Sequence, residues 1–585
     1  MPFGYHGSYL RIDASTGMAT RVPIGDDALR QYIGGSGLGA RLLLDEGGAT
    51  ADPLSPEAPL VFAFSPLVGS PLTTSAKFAV VSKSPLTGRF NDSLASSGFA
   101  LSGKRSGCDA ILIVGRAAEL SVLVIDDGQV RLESAEDVRG ESCPSTEEQL
   151  RARLGTDFRI ASIGPAGERA VRYATISHDG RHAGRGGSGA VLGSKNIKAI
   201  AVRGTKYCEY AAPKRVTELS RDLSKRSMGP ATAKYRELGT ATNILTFNRF
   251  GTLPTRNFQS GTFDEAANLS PQELSAGRTK TRASCVACTI GCEHIYGVGR
   301  AGSAEGGPAV RVEYESLFAL GSLCGIGDAD VVLRATQRCD ELGLDTISTG
   351  GTIAFAMECV ERGLIDEPWL QFGRGEALLR AIELIGGRVG IGALLAEGSR
   401  RVADSIGGGS IAFAPQVKGL EIPGYEPRAL QTMALGFAVG ARGADHNRSG
   451  AYEVDFSDKV DRRNATLESV RHAIETEDRA ALMDSLILCK FLRGVFTDFY
   501  GESADMLRAV TGWNVTADEL HDSARRIVAA KRQFNLLAGW TPAEDTLPDR
   551  FLNTPLANDP DAVLTRDRLD ALVAEYHRQR ADQRS

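Results

Sequence analysis

The feature that most limits what this chain can fold into is a run of three thiols, Cys285-Val-Ala-Cys288-Thr-Ile-Gly-Cys292, with a lone fourth, Cys489, far downstream. Spacing of this kind lets one turn of backbone bring three thiolates to three corners of a compact metal or iron–sulfur centre. A fourth ligand from a distant segment then ties two parts of the fold together. Positions i, i+3 and i+7 also share one face of a helix, where cysteine packs as a small hydrophobe. Thr289, Gly291 and the preceding Arg282-Ala-Ser make a poor helix interior, which favours ligation. A four-thiolate zinc site needs the same number of ligands and stays open as the competing reading.

A chain of 585 residues exceeds what one core can serve, so two or three domains are expected. Ten cysteines over that length, with the dense group metal-like, fit a reducing compartment better than a disulfide framework. A formal net charge of −5 argues against a nucleic-acid binder. No stretch approaches the uninterrupted apolar length of a membrane helix, and the opening Met-Pro-Phe-Gly-Tyr-His-Gly lacks a signal-peptide pattern. The expectation is a cytoplasmic protein with no membrane or nucleic-acid partner.

Residues 1–208 read as β-rich. Phe78-Ala-Val-Val-Ser, Ala110-Ile-Leu-Ile-Val and Val122-Leu-Val-Ile are short branched runs, and Asp127-Gly128 is a hairpin signal. From 209 to 415 the texture is helical. Val331, Val332, Ala335, Cys339 and Leu342 keep helical spacing with Gly343 as the stop, and further helices are expected over 352–361 and 393–406. In 416–585, the stretch 479–492 reads as a buried helix, Thr516-Ala-Asp-Glu519 opens another, and the charged tail from Asp561 reads as a solvated surface helix. No internal repeat is evident. The fold class is α+β, with a β base and two mostly helical domains.

Gly35-Ser-Gly37-Leu-Gly39-Ala40 formally fits a dinucleotide fingerprint, but Asp27–Tyr32 before it is helical rather than a strand. Gly189–Lys195 misplaces the lysine of a phosphate loop. Two acidic segments are sharper. Asp340-Glu-Leu-Gly343-Leu344-Asp345 sets one carboxylate in a last helical turn and another just past the glycine. Asp484-Ser-Leu-Ile-Leu-Cys489 repeats the outline and ends on the fourth thiol. A carboxylate can accept two parallel bonds from an amidine-like edge such as that of a pterin. Arg311-Val-Glu313-Tyr-Glu315 and Ala444-Asp-His446-Asn-Arg supply the residue types that move protons.

Together these pieces resemble the aldehyde ferredoxin oxidoreductase family of tungsten enzymes. The resemblance extends over Gly7–Asp13, Gly34–Ala40, Ser84-Pro-Leu-Thr-Gly-Arg-Phe-Asn91, Ala183–Lys195, Asp340–Asp345, the four thiols and Val510-Thr-Gly-Trp513. It implies tungsten (or molybdenum) held by two pterins, a magnesium ion between their phosphates, and a 4Fe–4S cluster. By that resemblance Cys285, Cys288, Cys292 and Cys489 hold the cluster. Asp340, Gly343, Leu344, Asp345, Asp484 and Leu488 serve the pterin edges, main chain near Asn91, Ala183, Gly184 and Arg185 holds magnesium and phosphate, and Glu313 with His446 forms the acid–base pair. Ile487 stands where the family pattern has glycine. Lys77 stands where some members place an arginine between pterin and cluster, keeping the charge but losing the fork.

The implied activity is oxidation of aldehydes to carboxylic acids, with electrons leaving through the cluster to ferredoxin or a partner iron–sulfur subunit; the oligomeric state stays open. The alternatives are a low-potential reductase of an aromatic acyl thioester, in which Cys324 would ligate the metal, and a non-enzymatic zinc scaffold.

Overall fold

The computed structural model describes residues 2–299 and 309–582. The β-rich part forms two six-stranded sheets. The first contains β1 (Ser8–Asp13), β2 (Met18–Pro23), β3 (Leu60–Ala63), β4 (Lys77–Lys83), β5 (Phe90–Ser96) and β6 (Ala110–Val114), in spatial order β2-β1-β6-β3-β4-β5. β1 runs parallel to β6, and the other neighbours are antiparallel. The second contains β7 (Ser121–Asp126), β8 (Gln129–Ser134), β9 (Arg159–Ser162), β10 (Ile176–His178), β11 (Arg181–Ala183) and β12 (Ile197–Arg203), in order β8-β7-β12-β9-β10-β11. Here too one pair is parallel, β7 with β12, and the rest antiparallel. The hairpin between β7 and β8 turns at Asp127 and Gly128, both with positive φ, as that dipeptide demands.

Replacing each strand by the one six places later converts the first sheet order into the second. The base is therefore a topological repeat, which corrects the expectation of none. Residue identities do not repeat, and the insertions differ. Two helices, Asp26–Tyr32 and α1 (Gly35–Asp45), separate β2 from β3, while Cys143–Leu154 separates β8 from β9. Period-two alternation puts Leu10, Ile12, Phe62, Val80 and Ile111 in one core with Leu123, Ile125, Ala161, Ile176 and Ile200 of the second sheet. The intervening Val61, Ala79, Val81 and Leu112 pack under Leu38 and Leu43 of α1.

Beyond residue 204 helices dominate. The elements that bear on the site are α2 (Pro230–Leu238), a three-stranded sheet of β13 (Lys280–Ala283), β14 (Glu293–Gly297) and β15 (Ala309–Val312), then α3 (Tyr314–Leu320), α4 (Ala329–Leu342), α5 (Thr346–Glu361), α6 (Leu467–Leu486), α7 (Ala517–Leu537) and α8 (Arg566–Asp582). Strands gather in the first third and helices in the rest, which makes the fold α+β. No single helix among the described residues is long and apolar enough to cross a membrane.

Several helix bounds depart from the sequence reading. α5 starts before residue 352, because the Asp345 carboxylate accepts the N–H groups of Ile347 and Ser348 and so caps the β-branched, glycine-bearing first turns. The stretch 393–406 is two helices, Ile391–Leu395 and Ser399–Ile406, parted by Gly398 at φ 86°. The helix expected over 479–492 begins earlier, at Leu467, and ends at Leu486. Thr516 caps α7 as expected, accepting the N–H of Glu519, whose carboxylate also binds Arg30. The tail helix α8 is not simply solvated: Leu569, Leu572 and Tyr576 are buried, and Arg580 pairs with Glu477 and Asp478 of α6.

Candidate active site

A cavity of about 980 Å³ lies between the β base and the helical part. Both acidic segments end at it. α4 stops where Gly343 takes a left-handed conformation at φ 74°, and the chain reverses so that Asp345 opens α5. Asp340, in the last turn of α4, sits 3.2 Å from the His182 ring, and Asp345 lies 3.5 Å from the Arg185 guanidinium. α6 ends in the same way, with Ile487 left-handed at φ 67° in the position of the helix-terminating glycine. A left-handed non-glycine residue costs about 1–2 kcal/mol. Here the fully buried Ile487 side chain, packed with Phe534 and Leu38, offsets that cost. Asp484 lies 2.9 Å from Lys490 and 3.3 Å from Arg448.

The glycine motif at the start of α1 serves this second segment. A Cβ on Gly35 would stand 2.4 Å from the Asp484 carbonyl, and Gly37 donates its N–H to Ser485 Oγ at 3.0 Å. Its glycines let α1 approach the end of α6, and no strand precedes them.

The edge strands β5 and β11 of the two sheets meet below the cavity. Asn91 Nδ2 donates to Ser188 Oγ at 3.1 Å, and Ser93 Oγ donates to the Arg185 carbonyl at 2.8 Å. Gly186 leaves no room for a side chain because Asn91 Oδ1 would be 2.0 Å from its Cβ, while Gly184 faces open space. Gly184 and Arg185 line the cavity; Asn91, Ala183 and Gly343 shape it from behind.

The four thiols come together beside the cavity. Cys285 and Cys288 share a hydrogen bond, and Cys288 and Cys292 each feel the charge of Cys489 and Cys285. Cys285, Cys292 and Cys489 line the cavity, with Cys288 behind them. The hydrogen bond between Cys285 and Cys288, aided by the charges of Arg181 and Lys77, draws the Cys285 thiol down and pushes that of Cys288 up. Burial opposes a charge on Lys77, but Cys489, Cys285 and Asp484 more than restore it. Lys77 thus stands near both the second acidic segment and the thiols. Among the described residues no three His, Cys, Asp or Glu side chains are close enough to hold a single metal ion.

Glu313 and His446 both line the cavity. Glu313 precedes α3, its carboxylate accepts the Thr240 hydroxyl, and burial raises its pKa. The carboxylate nearest to His446, however, is Glu315, 3.6 Å from Nε2. Burial pushes His446 down to about 3 and Glu315 up to about 8, so near neutrality the imidazole is neutral and the carboxyl holds its proton. Glu315, two residues after Glu313, is quoted in the same run by the sequence reading but given no role of its own. Arg442, which the sequence reading leaves out, and Asp445 and Arg448, which it quotes without a role, crowd the cavity floor; Arg448, Lys531 and Arg442 hold buried Asp92 ionised. Three charged residues between 442 and 448 are the available signal.

Cys324 does not line the cavity. Its buried thiol points to the carbonyls of Ala319 and Gly350 within the helical core.

The buried polar atoms left without a hydrogen bond, some of them held only in longer ion pairs, fit a polar anionic group with N–H edges. They include Arg185 Nε, Arg442 Nε and Nη2, Asp484 Oδ2, Glu315 Oε1 and His446 Nδ1, all on cavity-lining residues. Buried groups of this kind are seldom left unsatisfied in a functional protein.

Four thiols lie beside a large cavity floored by arginines and carboxylates, a construction compatible with an oxidoreductase. The family model described as "Aldehyde ferredoxin oxidoreductase, N-terminal domain" matches residues 9–204, and that for "domains 2 & 3" matches 217–581. The chain belongs to the aldehyde ferredoxin oxidoreductase family. It is 37% identical to a tungsten-containing aldehyde ferredoxin oxidoreductase of Pyrococcus furiosus, over 99% of this chain and 96% of that one. The corresponding protein of Pyrococcus horikoshii is 38% identical over 95% and 93%. The WOR-like subunit of an aliphatic sulfonate oxidoreductase, also from P. furiosus, is 28% identical over 98% and 94%. Among solved structures, the BamBC active-site complex of benzoyl coenzyme A reductase superposes with a TM-score of 0.83 at 23% identity, covering 99% of this chain and 95% of that chain. That likeness concerns the fold.

Proposed function

We propose that the chain oxidises aldehydes to carboxylic acids on a tungsten bis-pterin group and passes the electrons through a 4Fe–4S cluster to ferredoxin or an iron–sulfur partner. The observation that carries this reading is that one cavity gathers both acidic segments, the thiol set and the Glu313–Glu315–His446 group. Asp340, Asp345 and Asp484 would bind pterin edges, main chain at Asn91 and Ala183 would hold magnesium, and Arg185, Arg442 and Arg448 would meet phosphate. Cys285, Cys288, Cys292 and Cys489 would ligate the cluster, with Lys77 between cluster and pterin. The three-domain division near residues 208 and 415 belongs to the same reading.

When bound, such a group supplies a Lewis acid and a two-electron acceptor. The reaction consumes an aldehyde and a water and yields a carboxylic acid, two protons and two electrons. Glu313, its carboxyl raised by burial, takes the proton from water. The neutral His446 orients the aldehyde oxygen by hydrogen bonding, and Glu315 holds a proton next to it. Phe247, Phe250, Tyr425, Tyr452 and Phe456 form an aromatic wall on which an apolar aldehyde body can rest. The thioester-reductase reading requires a thiol at the metal, and the inward-turned Cys324 speaks against it.

The test is a double-mutant cycle. Glu313→Gln and His446→Ala should each lower aldehyde turnover with a viologen acceptor by about 10²–10⁴, at unchanged tungsten and iron. The double variant should lose far less than the product, because both act in one transition state. Multiplying losses, or metal lost in step with activity, would refute the shared role. Purified protein containing zinc but neither tungsten nor iron would refute the reaction itself.

A further inference from the structure

The thiol loop reaches the surface, and what surrounds it there has no part in the chemistry above. Val286 is 39% exposed, Ala287 is exposed between Cys285 and Cys288, and Met228 beside the loop is 59% exposed. The loop is tied to that neighbour: Thr289 Oγ1 lies 2.6 Å from Ser227 Oγ. Around this apolar centre runs a chain of cations linked by contacts. Arg236 donates to the Gly229 carbonyl at 3.1 Å, and Arg282 donates to the Arg236 carbonyl at 3.4 Å. Lys280 is two residues from Arg282 on the edge strand β13, and Arg282 lowers its pKa after burial. Lys225 is exposed three residues before Met228.

Lys225, Arg236, Lys280 and Arg282 make no salt bridge among the described residues, although most other arginines of the protein do. Glu237 is the one carboxylate on α2. A molecule with net charge −5 thus presents unneutralised positive charge around the point where its thiols come nearest to solvent. Self-repulsion among such cations is unfavourable in the free protein and is relieved by an anionic surface. Among the described residues β13 pairs on one edge only, and Lys280 and Arg282 are the kind of charged residues that guard an open edge against strand addition.

We infer that the surface formed by Val286, Met228 and the surrounding Lys225, Arg236, Lys280 and Arg282 is the docking site for an acidic iron–sulfur electron carrier. The apolar centre brings the carrier close to the thiol loop, and the cations steer and orient it. This inference rests on the reading that electrons leave through a cluster held by the four cysteines. It adds where the carrier binds and what charge that carrier bears.

The experiment uses the metal-loaded protein and an acidic bacterial-type ferredoxin. Binding is measured directly by calorimetry across ionic strengths, and turnover is measured with ferredoxin and, separately, with methyl viologen. Lys280→Glu/Arg282→Glu should weaken ferredoxin binding and raise the KM for ferredoxin by about tenfold or more, flattening its salt dependence. Viologen-linked turnover and iron content should match the wild type. Lys225→Glu/Lys280→Glu, which leaves the Arg282–Arg236 contact intact, should act in the same direction and guards against local misfolding in the first variant. Unchanged ferredoxin affinity in both folded variants, or no ferredoxin binding by the wild type, overturns the docking site. Intact, charge-dependent binding without viologen-linked aldehyde oxidation would overturn the reaction proposed above and leave the docking site standing.

Discussion

Ile487 shows how a side chain can hold a backbone that its own geometry opposes. At φ 67° it pays left-handed strain that glycine would not, yet its side chain fills the space under α1. Ile487→Gly should relieve about 1–2 kcal/mol of strain but forfeit a buried side chain worth about 3–5 kcal/mol. The net expectation is destabilisation by roughly 2 kcal/mol in urea unfolding; a more stable variant would show that packing is the lesser term. Glu315 makes a pH prediction. Its pKa rises on folding from the usual carboxyl range to about 8, so the folded state holds the proton more tightly. The associated stability is complete below the unfolded pKa and is lost as pH rises toward 8. Glu315→Gln should therefore lose less stability than wild type between pH 5 and 8.5, by an amount on the order of a few kcal/mol. Parallel pH curves for the two proteins would remove Glu315 as the titrating group. From the sequence, Glu313 and His446 stand out as candidate proton movers because glutamate and histidine are the usual residue types for that task and histidine is scarce, eight in all. That the histidine faces Glu315 was not legible, because the choice depends on how α3 rotates against the loop at 442–448.

The two turns at Gly343 and Ile487 have the same form: a helix ends in a left-handed residue, and the chain leaves with its carboxylates facing one cavity. The first was readable from the glycine. The second was readable only as a resemblance, since isoleucine carries no stop signal, and the periodicity ran on to residue 492. Capping explains the other misread bound: Asp345 starts α5 over residues whose propensities argue against helix. The pairing of α1 with the end of α6 yields its own test. Gly35→Ala adds a Cβ 2.4 Å from the Asp484 carbonyl at φ 43°, whereas Gly47→Ala, at φ 69°, meets nothing within 4 Å. The second should cost only backbone strain, about 1–2 kcal/mol. The first should cost clearly more and lower tungsten retention, because moving α1 moves Asp484. Equal stabilities in thermal unfolding, with equal metal, would mean that the two helices are not coupled in this way.

The α+β class and the β base were legible from strand-like runs and a hairpin signal, because alternation and turn chemistry are local. The repeat within that base was not, since topology is conserved between the two sheets without residue identity or loop length. That repeat has a consequence for how the chain is made. Each half ends in an edge strand, β5 or β11, and the two edges lie against each other beneath the cavity. A first half leaving the ribosome alone would present β5 with its outer hydrogen-bonding groups open, the arrangement most prone to joining a second chain. It is protected only when its counterpart is complete at Arg203, where β12 joins β7 to β9, so a pause in synthesis between residues 114 and 203 is the interval in which this protein is most exposed to aggregation.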